Sequence, residues 1–88
     1  MIEKDVKELL ATGKVIYLEL EYDVELGDFL FGLADERGVR FDYVTVWSSG
    51  SSTRTRRAKD PRTAISWAQN LGLRGVTFTD INFPPLPK

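Results

Sequence analysis

The sequence predicts an α+β fold, and two observations carry that expectation. Three stretches place apolar residues at helical spacing, and each is closed by a glycine, at Gly13, Gly38 and Gly72. After each glycine comes a run of alternating apolar residues or of crowded β-branched and aromatic ones, as strands require. The 88 residues leave room for one domain, 1–88, with 84–88 as an extended proline-rich tail. Hydrophobic residues reach 42 % and charged ones stop at 28 %, so the chain can assemble a core rather than stay disordered.

The elements follow in order. Over residues 2–12, Ile2, Val6, Leu9 and Leu10 form one helical stripe. Residues 14–22 alternate, with Ile16, Leu18, Leu20 and Tyr22 on one side and Tyr17, Glu19 and Glu21 on the other. A second helix is expected over 24–37, with Asp23 as its cap, Leu26, Phe29, Leu30 and Leu33 on its apolar face, and Gly38 as its stop. Residues 39–47 read as a strand with Val44 and Val46 facing one layer and Phe41, Tyr43 and Trp47 the other. Asp60-Pro61 opens a third helix as cap and first-turn proline, and Ala64, Ile65, Ala68 and Leu71 form its stripe, with Trp67 beside it. A last strand is expected over 76–83, with a bulge near Asp80 where the apolar phase shifts.

The segment 48–59 decides the architecture. Ser49-Gly50-Ser51 is turn chemistry, and Thr53-Arg54-Thr55-Arg56 alternates as an edge strand would, so a hairpin is expected. With it the body becomes a split βαβ, or ferredoxin-like, sheet with helices on one face, plus an extra N-terminal helix.

Composition narrows the function. The chain has no Cys and no His, which removes disulfides, the usual zinc ligands and the commonest general base near neutral pH. A non-enzymatic protein without a cofactor follows. No apolar run approaches the ~20 residues that span a bilayer, and the charged N-terminal residues are unlike a signal peptide, so a cytoplasmic protein with no membrane partner is expected. Net charge is −1, but residues 1–42 carry −6 and residues 43–88 carry +5. Such asymmetry points to an electrostatic partner or to head-to-tail self-association.

The basic segment is the sharpest feature. Arg54, Arg56, Arg57, Lys59 and Arg62 fall within nine residues, among Ser51, Ser52, Thr53 and Thr55. Arginine forks match phosphate oxygens and short hydroxyls add hydrogen bonds, so these five are the candidate nucleic-acid contacts. The helix N-terminus at Asp60-Pro61 offers free N–H groups to the same anion, although Asp60 competes for them. Over about residues 43–71 the strand–turn–basic strand–helix pattern loosely resembles the hairpin–helix modules of phage integrase arm domains, a spacing common to many hairpin–helix units. A solvated hairpin whose charges protect an edge strand would look the same.

A second set of candidates lies on the sheet. Glu19, Glu21, Asp23 and Glu25 recur every second residue, and a cation, a basic partner or the chain's own arginine hairpin would relieve their repulsion. With Tyr17, Phe41, Tyr43 and Trp47, residues Glu19 and Glu21 make a candidate partner-binding face for a protein target or a second copy of the chain. Two functions follow. The first is a small nucleic-acid-binding protein acting through the basic hairpin. The other is a protein-binding inhibitor or adaptor, of the small phage-encoded kind, acting through the acidic strand or aromatic face.

Overall fold

A computed structural model describes residues 1–47 and 53–79. It contains two helices and a mixed sheet, an α+β arrangement. Helix α1 (Glu3–Ala11) buries Val6 and carries Glu3 and Asp5 in its first turn, where acidic side chains suit the helix dipole. Strand β1 (Tyr17–Asp23) keeps the expected alternation, with Leu18 and Leu20 fully buried.

The next element corrects the sequence reading. Residues 24–37 do not form a helix. They turn at 24–27 and return as strand β2 (Asp28–Ala34), paired antiparallel with all of β1 from Tyr17↔Ala34 to Asp23↔Asp28. Asp23 does act as a cap, but of a tight turn. Its carboxylate accepts from the backbone N–H of Glu25 at 3.0 Å, and Gly27 N–H donates to the Asp23 carbonyl at 2.8 Å. Gly27 closes the turn at φ +68°, a conformation that suits glycine. The run Phe29-Leu30-Phe31-Gly32-Leu33-Ala34 satisfies helical and strand spacing alike. Gly27 and Gly32 would each cost a helix about 1 kcal/mol, whereas β1 offers the strand a seven-residue ladder. Gly38 serves the turn that follows β2, its N–H donating to the Asp35 carbonyl. The described order therefore lacks the crossover helix that a split βαβ unit places after its first strand.

The predicted strand 39–47 is also divided. Strand β3 (Arg40–Tyr43) pairs with β2, but the register slips between Leu33 and Ala34, so Arg40 and not Phe41 stands opposite Ala34. At Val44 the chain leaves the sheet. Strand β4 (Thr45–Trp47) and strand β5 (Thr53–Thr55) pair antiparallel as the two sides of the expected hairpin. Strand β6 (Arg57–Ala58) then rejoins β2 at Leu30 and Phe29, in the same direction as β3. Thus β3 and β6 occupy one edge position along β2, and the paired strands β4 and β5 form an arm between them in the chain. The Ser49-Gly50-Ser51 turn lies outside the described residues.

Helix α2 (Pro61–Leu71) matches its prediction: Asp60 caps it through a 2.8 Å bond from Arg62 N–H, and Gly72 ends it in the left-handed region. Strand β7 (Gly75–Phe78) lies parallel to β1, giving the order β3-β2-β1-β7. The expected bulge near Asp80, the strand residues beyond it and the tail 84–88 fall outside the described residues. Val6, Ala64, Trp67 and Ala68 from the helices join Ile16, Leu18, Leu20, Phe31, Leu33 and Val44 in one buried cluster. Each large side chain there contributes roughly 1.5–3 kcal/mol of burial. Among the described residues no helix is long and apolar enough to cross a membrane.

Candidate functional site

The arm exists because Val44 turns its backbone to two neighbours at once. Its N–H donates to the Phe31 carbonyl at 2.9 Å, and its carbonyl accepts from Arg56 N–H at 2.8 Å. Phe31 N–H in turn donates to the Arg56 carbonyl at 3.0 Å. Val44, Arg56 and Phe31 thus form the root of the arm, fixed by backbone hydrogen bonds to the central strand. Beyond the root, register sorts the side chains. Val46 pairs with Arg54 on one side of the ribbon, and Trp47 pairs with Thr53 on the other, beside the Thr45–Thr55 pair. An open groove of about 390 Å³ runs along the arm, lined by Val46, Trp47, Arg54, Thr55, Arg56 and Arg57. None of these described lining residues carries a carboxylate.

The five predicted phosphate contacts separate into two groups. Arg57 and Arg62 are engaged within the chain. Arg57 Nη1 lies 2.9 Å from Asp23 and 2.8 Å from Asp28, and hydrogen bonding to Asp23 holds its pKa above the ordinary value. Arg62 pairs with Asp60 at 3.2 Å, and its backbone N–H, then its side chain, hold the Asp60 carboxyl below the usual range. Asp60 therefore fills the helix N-terminus that an anion would have used. Among the described residues no carboxylate lies within ion-pair distance of Arg54, Arg56 or Lys59. Arg56 instead stacks on rings, its guanidinium 5.6 Å from the Phe31 centroid and 5.5 Å from that of Trp67.

The second predicted face is not one surface. Tyr17, Glu19, Glu21 and Tyr43 share the side of the sheet opposite the core, but Arg40 stands among them where Phe41 was expected. The bulge is the cause, because one extra residue reverses the phase of everything before it. Phe41 meets Lys14 across its ring at 5.1 Å, and Trp47 belongs to the arm.

Arg40 is the residue that sequence reasoning missed. Its Nη2 donates to Glu19 at 2.5 Å and to Thr79 at 3.0 Å, and its Nη1 donates to Glu21 at 2.6 Å. The Tyr43 hydroxyl also accepts from Arg40 and donates to Glu21. Burial alone would lower the guanidinium's pKa, but the bonds to Glu21 and Glu19 outweigh it and hold it raised. Burial, then the bond to Glu21, likewise raises that of Tyr43. Arg40 thus bridges Glu19 and Glu21, and Arg57 meets Asp23, which relieves part of the repulsion along the carboxylate stripe. A stripe of like charges on β1 is itself the signal for a cation elsewhere on the same face of the sheet. Among the described residues no group of three or more potential metal ligands converges.

No protein-family model, curated protein or solved structure matches this chain. The site therefore stands on its own chemistry. On one side of the molecule carboxylates and cations satisfy one another. On the arm, cations and an indole that is 66 % exposed do not meet such partners among the described residues.

Proposed function

We propose that the protein is a non-enzymatic nucleic-acid-binding module that grips phosphates with the β4–β5 arm. The groove carries this reading: among the described residues that line it, Arg54 and Arg56 come together with no carboxylate in ion-pair reach, while Arg57 and Arg62 are spent on internal pairs. Arg54, Arg56 and Lys59 are the phosphate contacts. Arg57 and Arg62 hold the arm's base and helix α2 in place.

Three contacts predict modest affinity with a defined salt dependence. Each neutralised phosphate contributes a slope of about 0.7–0.9 in log K against log salt, so the total lies near −2 to −3. Fluorescence anisotropy with labelled oligonucleotides across a salt series measures it directly. Arg54→Ala, at an exposed position, should weaken binding and reduce the slope by about one contact without changing thermal stability. A flat salt dependence, or an unaltered slope in Arg54→Ala, would refute the assignment.

A protein-binding inhibitor or adaptor is the second reading, favoured by the exposure of Trp47 at 66 % and Phe41 at 38 %. Exposed aromatics anchor protein interfaces. Glu19 and Glu21 support it less, because Arg40 already holds them. A Trp47→Ala variant that loses a protein partner while the wild type ignores oligonucleotides would favour this reading over the first.

A further inference from the structure

We infer that the strand held by the arm is single-stranded, with Trp47 as the platform on which a base stacks; this rests on the phosphate-binding reading and deepens it. Among the described residues Trp47 is the most exposed of the large apolar side chains, at 66 %. Among the described residues no ring or cation stacks on it. Its neighbours on that side of the ribbon, Thr45, Thr53 and Thr55, are short and present hydroxyls rather than competing surface. An indole in this setting gains most from a flat, unpaired partner.

The cations reinforce the choice. Arg54 lies on the opposite side of the ribbon, and Trp47 also helps to line the groove that Arg54 and Arg56 share. A flexible strand can place its phosphates in that groove and turn a base over the ribbon's edge onto Trp47. A duplex cannot, because both faces of each base are covered by its neighbours and exposing one costs a few kcal/mol. Three uncommitted cations are also few beside the six to ten phosphate contacts of a strongly salt-dependent duplex binder. Stacking is tolerant of sequence because every base has a π-face, so the platform selects strandedness rather than base order.

The test compares an oligothymidylate of roughly 16 nucleotides, the upper site size of single-strand binders, with a duplex of equal length. Anisotropy at low salt is measured for the wild type, Trp47→Ala, Trp47→Phe and Arg54→Ala. Tryptophan emission is followed in parallel. The single strand should bind several-fold more tightly than the duplex and quench emission. Trp47→Ala should weaken single-strand binding roughly 5- to 150-fold, the range of one lost stack, and so bring it down toward the affinity for the duplex. Trp47→Phe should retain most of the affinity but lose the quenching, because the remaining Trp67 is only 9 % exposed. Equal binding of both forms, unaffected by Trp47→Ala but reduced by Arg54→Ala, would overturn the single-strand assignment and leave the phosphate contacts standing. Tighter binding of the duplex would overturn it equally. No binding of either oligonucleotide at low salt would overturn both.

Discussion

Gly32 lies in the middle of β2, beneath the side chain of Arg40, and its replacement by alanine tests the polar face directly. A Cβ built at Gly32 would stand 2.7 Å from Arg40 Nε and 2.9 Å from the Glu19 carbonyl oxygen. Ordinary contact begins near 3.4 Å, so these neighbours must retreat by about half an ångström or more. The Glu19 oxygen belongs to backbone paired with β2 at this very position, and it cannot swing aside. Arg40 can move, but only by disturbing its bonds to Glu19, Glu21, Tyr43 and Thr79. Overpacking alone costs about 1–3 kcal/mol. Weakening a partly buried ion pair adds to this, and the lower chain entropy of alanine offsets less than about 1 kcal/mol. The expected loss for Gly32→Ala is about 2–4 kcal/mol. For a chain of this size that corresponds to a Tm roughly 10–25 °C lower, read by circular dichroism. Gly75→Ala is the control: there the Cβ would meet only ring carbons of Tyr17, at 3.3 and 3.4 Å, and the ring can shift. It should cost less than about 1 kcal/mol. Should Gly32→Ala fall within about 1 kcal/mol of the wild type, or match Gly75→Ala, the close packing of Arg40 on the sheet would be refuted.

Two further predictions concern the carboxylates and the core. Asp23, Asp35 and Asp60 are held below their ordinary pKa, by the Arg57 side chain, the Val39 N–H and the Arg62 N–H respectively, each as the leading favourable bond. Their contribution to stability is complete above about pH 5, clear of the unfolded carboxyl value, and is lost as pH falls through the depressed folded values, so the urea midpoint should drop as pH falls from about 5 to 3. Asp60→Asn keeps a capping side chain but cannot titrate, and its midpoint should fall less steeply over that range; an identical slope would count against this cause. Trp67 Nε1 donates to Glu3 Oε1 at 2.7 Å, linking α2 to α1, while its ring lies 5.3 Å from Phe31. Trp67→Phe should cost about 1–2 kcal/mol in denaturant unfolding, and a cycle with Glu3→Gln should show coupling of about 0.5 kcal/mol or more; additive losses would refute the bond's role.

Some of the candidate site was legible because it depends on neighbours in sequence. The alternation of Thr53-Arg54-Thr55-Arg56 indicates an edge strand, and β5 forms there. What could not be read was which cations are spent. Arg57 meets Asp28 from 29 residues away, and Arg40 meets Glu19 from 21 residues away. These pairs exist only because β2 lies beside β1, and that pairing was hidden by a segment whose spacing also fits a helix. Phe41 was placed on the wrong face for a related reason, since a bulge depends on the partner strand as much as on its own residues.

The sequence by itself determined what local chemistry can decide. Asp60-Pro61 and Gly72 bracket α2, alternation sets the two faces of β1, and the absence of Cys and His removes disulfides and every imidazole and thiol side chain. Tertiary structure decided the rest. It chose strand over helix at 28–34, where the β1 ladder and the burial of Phe31 and Leu33 outweigh an ambiguous local pattern. It set strands β4 and β5 apart from the main sheet as an arm and set Arg40 against the carboxylates of β1. Propensities act over a few residues, whereas charge pairing and strand register are settled only when distant segments meet.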